Sequence, residues 1–538
     1  MSDRGTERRR LFHGLVIVLA MGAALPAGAA APPNIIFVLT DDQRYDELGI
    51  LNPVLQTPNM DALAREGVHF ANAFVTTSLC SPSRASILTG QMMHNHGVID
   101  NNRPLPQGLD LFPRHLKQAG YETAFVGKWH MGGESSEPRP EFDFWVSFPG
   151  QGRYYPSTIP GFPSDLNVNG KTVPQKGYIT DELTDYALAF LANRDVGKPF
   201  FLYLSHKAVH ASFEPAPRHI DQYADVEIHV GRTRVDPNAD TPMWVQNQRN
   251  SWHGREFPYH SDIPLKEFKR QYHRTLTAVD DSLGRLLGWL AEAGLTDETV
   301  VILMGDNGFL FGEHGLIDKR NAYEESMRVP LLASGPGRFP AGRVVTEMVA
   351  NIDIAPTILE LAGMDAPGHY DGASFAQIAT GEPASDGTPP PWRQELAYEY
   401  YWEFNYPHTP TVFALRTDRY KYIQYHGVWD TEELFDLRAD PGESNNLIED
   451  PALLDVKVGM RERLYDALAS QDGNHTIPYS AKFTQGAVFR HRDRSPAAEF
   501  PDKWLRGPEA RDRLEHIVPD GPDKAKRLET INQVLDQR

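Results

Sequence analysis

Cys80 is the single cysteine of a 538-residue chain, so no intrachain disulfide can involve it. A lone cysteine is ordinarily a small buried hydrophobe. This one, however, begins the run Cys80-Ser81-Pro82-Ser83-Arg84, where a strand-like stretch (69–75) gives way to a helix-like one. That spacing puts a guanidinium one helical turn from the sulfur, at the helix end whose free amides add positive potential. A structural cysteine needs no such setting; a residue that handles an anion does.

Four apolar runs elsewhere end in groups able to share that work. They lead into Asp41-Asp42, into Lys128 and His130, into His206, Lys207 and His210, and into Asp306-Asn307. Each alone is weak, since an aspartate pair after a strand is usually a turn or a cap. Together, at one edge of one sheet, they form a constellation. Asp41, Asp42, Asp306 and Asn307 offer oxygen donors only, which suits Ca²⁺ or Mg²⁺ better than zinc. Arg84, Lys128, His130, His210 and Lys319 supply a cationic cluster. A metal and cations around one nucleophile describe a site that transfers a tetrahedral oxyanion group.

The elements that must position these groups are legible from hydrophobic patterning. Residues 34–40, 121–126, 199–205 and 298–304 are continuous apolar runs, the pattern of strands covered on both faces of a parallel sheet. Helical spacing at 57–67, 111–119, 179–191, 271–294 and 351–362 alternates with them. The fold class expected is therefore α/β, a large mixed, mainly parallel sheet sandwiched by helices, over residues 32–385. Residues 131–175 and 221–266 read as long irregular stretches that shape a binding site. From 386 to 480 the texture changes to a hairpin (411–416 and 419–424), a further strand (433–437) and a helix (453–468). This is a smaller C-terminal α+β subdomain containing an antiparallel sheet. Residues 481–538 form a charged extension with one helical stretch at 517–534.

Composition narrows the function. The chain carries a net charge of −19, and residues 1–30 hold four arginines against Asp3 and Glu7, so the remainder is more acidic still. This excludes a general nucleic-acid binder, whose footprint would be basic. An acidic protein that binds an anion needs a local cationic cluster working against its own field. Residues 1–31 read as a signal peptide: a basic stretch through Arg10, an apolar run to about Leu25, then small residues suited to cleavage. The run is short and rich in glycine and alanine for a membrane span, so no stable membrane insertion is expected. Arg8-Arg9-Arg10-Leu11-Phe12 resembles a twin-arginine signal, and the general secretion route is equally compatible. A periplasmic or secreted protein without disulfides is expected; its oligomeric state has no signature.

With these residues in view, the chain resembles a formylglycine-dependent type I sulfatase of the alkaline phosphatase superfamily. Cys80-Ser81-Pro82-Ser83-Arg84 with Leu88-Thr89-Gly90 matches that family's Cys-x-Pro-x-Arg signature, and Gly127-Lys128-Trp129-His130 its second signature. Asp41-Asp42 and Asp306-Asn307-Gly308 match its metal-binding positions, and the resemblance spans roughly 33–470. It implies that a maturation enzyme converts Cys80 to formylglycine (3-oxoalanine), whose hydrate is the nucleophile and becomes sulfated during turnover. It further implies that Asp41, Asp42, Asp306, Asn307 and modified residue 80 bind Ca²⁺, with Mg²⁺ as the alternative. Arg84 would hold the hydrated aldehyde, Lys128 and Lys319 would clamp sulfate oxygens, His210 would protonate the leaving alcohol, and His130 would help expel sulfate.

The Ser78-Leu79-Cys80 context, Asn95-His96-Gly97-Val98, Ile317-Asp318-Lys319-Arg320 and Asn351-Ile352-Asp353 look most like carbohydrate sulfatases related to N-acetylglucosamine-6-sulfatases. That resemblance implies a sulfated polysaccharide or oligosaccharide substrate, 6-O-sulfated. His314 would then touch the substrate or cap a loop. Arg153, Trp252, Trp244, Tyr154 and Tyr155 would line sugar subsites or pack their own loops. The competing expectations are a phosphonate monoester or phosphodiester hydrolase of the same superfamily and a simple arylsulfatase. A non-catalytic exported binding protein would have lost a ligand or Arg84, and none is missing.

Overall fold

Alternate side chains of the strand Asn34–Thr40 enter two separate cores, which is why its sequence is apolar without a break. Ile35, Phe37 and Leu39 face one core with Ala85, Ile87 and Leu88; Ile36 and Val38 face the other with Leu183, Leu276 and Leu283. The structure, a computed structural model, describes residues 32–131, 135–159, 164–230, 242–247, 263–335, 337–381, 390–426, 431–471, 473, 525, 526 and 529. The expected signal peptide, and all but three positions of the 481–538 extension, lie outside the described residues.

The large sheet has ten strands, in the order Arg343–Val345, Val68–Phe70, Leu331–Ser334, Thr299–Gly305, Asn34–Thr40, Phe200–Ser205, Glu122–Gly127, Phe144–Ser147, Leu166–Val168, Lys171–Val173. The central run from Thr299–Gly305 to Phe144–Ser147 is parallel, and Leu331–Ser334 is antiparallel to both its neighbours. Helices Ile179–Asn193 and Leu265–Glu292 cover one face. Helix Cys80–Thr89 lies in the core of the other, with all ten of its residues buried. A mixed, mainly parallel sheet between helices is the α/β class read from the sequence. A separate antiparallel sheet follows it, Glu395–Tyr400, Thr411–Thr417, Tyr420–His426 and Glu432–Asp436, with helix Leu454–Ser470. Among the described residues no helix is long and apolar enough to cross a membrane.

Two local readings change. The stretch 131–175 is less irregular than expected, because it contains the strand Phe144–Ser147 and a hairpin of Leu166–Val168 with Lys171–Val173. Asn169 and Gly170, at φ 51° and 82°, are the left-handed two-residue turn that an Asn-Gly pair specifies between strands. The helix expected from 271 begins instead at Leu265. Its added turn is held by Lys269 pairing with buried Glu47 at 2.8 Å.

The antiparallel sheet is tied to the main core through His94. Its Nδ1 lies 3.0 Å from Glu399 Oε1, on the strand Glu395–Tyr400, and its Nε2 lies 2.6 Å from the Gln471 carbonyl. Burial alone would lower the imidazole pKa, but the Glu399 carboxylate outweighs it and raises it to about 9. A folded-state pKa above the unfolded value of about 6.5 stabilises the fold fully below that pH and is lost as pH rises toward 9; the shift is worth about 3 kcal/mol. Urea denaturation is therefore expected to show wild-type stability falling between about pH 6.5 and 9.5, with a smaller fall for His94→Gln. Equal pH dependence in the two proteins would remove His94 from this role.

Candidate active site

The ends of four adjacent parallel strands and the start of one helix converge on Cys80. Asp41 and Asp42 leave Asn34–Thr40 in a path fixed by two hydrogen bonds, Asp41 N–H to Ala208 O (3.0 Å) and Val209 N–H to Asp41 O (2.7 Å). Asp42 takes a left-handed φ of 60°, a conformation that costs a non-glycine residue energy and collects at functional sites. Its amide donates to Asp306 Oδ1 at 3.0 Å, and the Asp306 amide donates to Thr40 O at 2.9 Å. Gly127, at φ 123°, passes so close to the Ser205 carbonyl that a Cβ would lie 1.8 Å from that oxygen. Only glycine fits where the chain turns to present Lys128.

Arg84 is the knot of the site. Its Nε donates to Asp306 Oδ2 at 2.9 Å and its Nη1 to Lys128 O and Ser205 Oγ at 2.8 and 2.7 Å. Lys128 Nζ pairs with Asp41. Lys319 Nζ pairs with Asp42 and lies 2.9 Å from Cys80 Sγ. Sγ, an Asp41 carboxylate oxygen and a His210 ring nitrogen lie within 4.8 Å of one another. His210 Nδ1 meets the Ala211 carbonyl at 2.6 Å, leaving Nε2 for other partners. His130, another left-handed residue at φ 55°, sets Nδ1 3.2 Å from Ser81 Oγ. All these expected site residues are brought together, and every one except partly buried His210 is buried.

Charge decides what this arrangement can do. Burial pushes the Cys80 thiol up to about 12, although Lys128 and Lys319 oppose it. At neutral pH an unmodified Cys80 is a neutral thiol and a poor nucleophile. Burial would also raise Asp41, but Lys128, His210, Arg84 and Lys319 hold its carboxyl well below the usual range. Burial and the neighbouring Asp41 charge push Asp306 up to about 7, and burial raises Asp42. Three carboxylates with oxygens within 4.8 Å of one another resist being ionised together. A divalent cation removes that conflict. The fit has an independent mark: Asn307 donates to Asp42 Oδ1 at 2.7 Å while its own Oδ1 is buried without a hydrogen-bond partner. Asp41, Asp42, Asp306 and Asn307 thus suit a hard, oxygen-seeking ion.

Other residues named from the sequence take other partners. His206 does not join the cluster; its Nε2 lies 3.1 Å from Ser282 Oγ on the long helix. Lys207 sets its ammonium 4.6 Å from the centre of the Tyr154 ring. His314 stacks on Tyr323 at 3.8 Å and sits 3.8 Å from Glu325, so its contacts are with that pair. Tyr154 is 1% exposed, its hydroxyl donating to His210 O at 2.8 Å, and Tyr155 donates to Pro215 O, so both brace loops. Trp244 is buried against Tyr425. Arg153 is half-buried on the same loop as Tyr154, and Trp252 lies outside the described residues. The reading from sequence missed Ser205 and Ser81, which orient Arg84 and His130. Their signal was position alone: one ends an apolar strand at the shared edge, the other follows Cys80.

Comparison with known proteins agrees with the geometry. The sulfatase family model matches residues 33–364, and the model for the C-terminal part of N-sulphoglucosamine sulphohydrolase matches residues 312–470. The chain is 34% identical over 499 residues to an N-acetylglucosamine-6-O-sulfatase of Bacteroides thetaiotaomicron, covering 80% of this chain and 86% of that one. It is 31% identical to the human N-acetylglucosamine-6-sulfatase, covering 82% and 86%. A solved structure, described as a complex with its substrate D-glucosamine-2-N,6-O-disulfate, superposes with a TM-score of 0.74 at 32% identity, covering 82% of this chain and 99% of that one. The chain belongs to the sulfatase family and is a sulfuric ester hydrolase.

Proposed function

We propose that the protein removes sulfate from a sulfated oligosaccharide or polysaccharide, at the 6-O position of a glucosamine-type residue, after export from the cytoplasm. The observation that supports the catalytic reading best is Cys80 itself. It is fully enclosed, with a thiol pKa pushed up to about 12, yet it stands at the centre of three cationic side chains and a hard-cation donor set. A working thiol would be placed otherwise, whereas conversion of Cys80 to formylglycine by a maturation enzyme supplies an oxygen nucleophile at that point. The glucosamine assignment draws on the names of the relatives above.

Asp41, Asp42, Asp306 and Asn307 would hold Ca²⁺, which when bound neutralises the carboxylates and polarises oxygen. Arg84, fixed by Asp306, Ser205 and the Lys128 carbonyl, orients residue 80. Lys128 and Lys319 place two ammonium groups around residue 80, where they meet the charge that builds on sulfate oxygens in the transition state. His210 has its Nδ1 on the Ala211 carbonyl, so Nε2 is the atom that delivers a proton to the departing sugar alcohol. Burial, then Lys128 and Lys319, lower its pKa, and an arriving anionic ester restores it. His130 carries a proton in the later step through its own Nε2, since Nδ1 faces Ser81.

Sulfate release from 6-sulfated glucosamine saccharides, from other sulfated sugars and from a simple aryl sulfate tests this reading, beside phosphate and phosphonate esters. Turnover confined to the aryl sulfate would end the sugar assignment. Faster turnover of the phosphorus esters would place the protein with the phosphonate and phosphodiester hydrolases.

A further inference from the structure

Tyr154 and Trp244 are buried, so neither offers a ring face to a ligand. Among the described residues the exposed aromatic side chains are Trp402, 50% exposed, and Phe404, 60% exposed. Both sit on one loop, 401–410, between the strands Glu395–Tyr400 and Thr411–Thr417 of the antiparallel sheet. Burial alternates along it: Trp402 out, Glu403 in, Phe404 out. Phe404 opens the turn in which Tyr406 N–H donates to Glu403 O at 3.1 Å.

The loop is fastened to two segments that border Cys80. On one side Glu403, fully buried, accepts from Arg320 Nε at 2.8 Å and from Tyr400 at 3.0 Å, and the Arg320 guanidinium lies 3.4 Å from the centre of the Tyr406 ring. Arg320 follows Lys319, whose ammonium is 2.9 Å from Cys80 Sγ. On the other side the Asn102 side-chain amide donates to Asn405 Oδ1 at 3.0 Å, and neighbouring Asn101 accepts the amide of Ser81 at 3.0 Å. Lys319 separates one anchor from residue 80; Asn101 and Ser81 separate the other. The loop thus borders the site, and Trp402 is set there in advance: its N–H donates to Thr411 Oγ1 at 3.0 Å, and its indole Nε1 donates to Pro407 O at 3.2 Å.

With the indole nitrogen satisfied inside the loop, what Trp402 presents outward is the apolar ring face. Two exposed ring faces flanked by the exposed Asn102–Asn405 amide pair suit a flat ligand with carbon–hydrogen faces and a hydroxyl rim. A protein partner would call for a broader apolar patch than two rings among polar groups. We infer that Trp402 and Phe404 form a stacking platform for the sugar adjoining the sulfated residue, so that the enzyme prefers an oligosaccharide to a monosaccharide. This rests on the carbohydrate reading above. Because the platform is held rigid before binding, little ordering cost offsets its contribution.

The test compares kcat/KM for a 6-sulfated glucosamine monosaccharide and for an oligosaccharide bearing the same sulfated residue, in wild type, Trp402→Ala, Phe404→Ala and Trp402→Phe. Wild type should favour the oligosaccharide by about 10-fold or more, and Trp402→Ala should erase most of that ratio through KM, as truncation of an exposed aromatic anchor does. Phe404→Ala should lower the ratio less, and Trp402→Phe should restore most of it. A ratio near one in wild type, or a ratio unmoved by both alanine variants, overturns the platform while leaving the sugar assignment standing. A fall in both substrates alike assigns Trp402 to structure and also overturns it. If wild type cleaves neither saccharide, the sugar assignment fails and the platform falls with it.

Discussion

Cys80→Ala is expected to lower turnover of any sulfate ester by at least about 10⁴-fold while the fold survives, since the nucleophile is lost outright and only binding and oxyanion stabilisation remain. Cys80→Ser is expected to be almost as poor, because a serine hydroxyl restores an oxygen but no aldehyde hydrate. The fold survives because the side chain removed is small and Arg84, which organises the pocket, bonds to Asp306, Ser205 and the Lys128 carbonyl, not to the sulfur. The second readout is the mass of the peptide carrying residue 80 from active enzyme: sulfur lost and an aldehyde gained. Intact cysteine in fully active protein would overturn the nucleophile, as would wild-type rates in Cys80→Ala. A thiol reagent at neutral pH should leave native enzyme untouched, because burial holds any unconverted Cys80 in its neutral form.

The parts of this site visible in the sequence are those that sit where hydrophobic periodicity stops. Asp41-Asp42 and Asp306-Asn307 follow unbroken apolar runs, and two adjacent parallel strands carry such runs to the same edge, where Asp306 N–H meets Thr40 O. Cys80 and Arg84 share one helical turn, so their proximity is local. Lys319 is of another kind. It lies between strands in irregular chain, and no apolar run leads into it, yet its ammonium lies 2.9 Å from the sulfur.

What composition cannot convey is which aromatic side chains reach solvent. Trp244 and Tyr154 lie in stretches rich in polar residues and glycine, yet both are buried, one against Tyr425 and one under Lys207. Trp402 and Phe404 lie between two strands and stay exposed because Glu403 takes the inward position to meet Arg320, 83 residues away in sequence. Long-range pairing of charges settles which ring faces outward, and it leaves no periodic trace. The Asn169-Gly170 turn is the contrary case, a local two-residue signal present in the sequence but hidden within a stretch taken as irregular.

Asp306 tests the coupling between the cation site and Arg84. Its Oδ2 accepts from Arg84 Nε and lies 2.8 Å from Nη2, while its Oδ1 accepts the Asp42 amide. Asp306→Ala removes both anchors and leaves a guanidinium that is 1% exposed with Asp41, 3.7 Å away, as the carboxylate in reach. Breaking a buried pair in this way costs about 3–5 kcal/mol, so this variant should be markedly less stable and inactive. Asp306→Asn separates the two roles. The amide keeps the shape and one acceptor oxygen, so stability should fall by only about 1–3 kcal/mol. The lost negative charge weakens the cation site, and turnover should drop by roughly 10²–10³-fold, recovering in part at high Ca²⁺. Calcium titration by calorimetry reads the cation directly, and urea denaturation of the chelated protein reads the Arg84 anchor. Wild-type calcium affinity in Asp306→Asn would remove Asp306 from the donor set. An Asp306→Ala protein as stable as wild type would show that Arg84 is held by Ser205 and the Lys128 carbonyl alone.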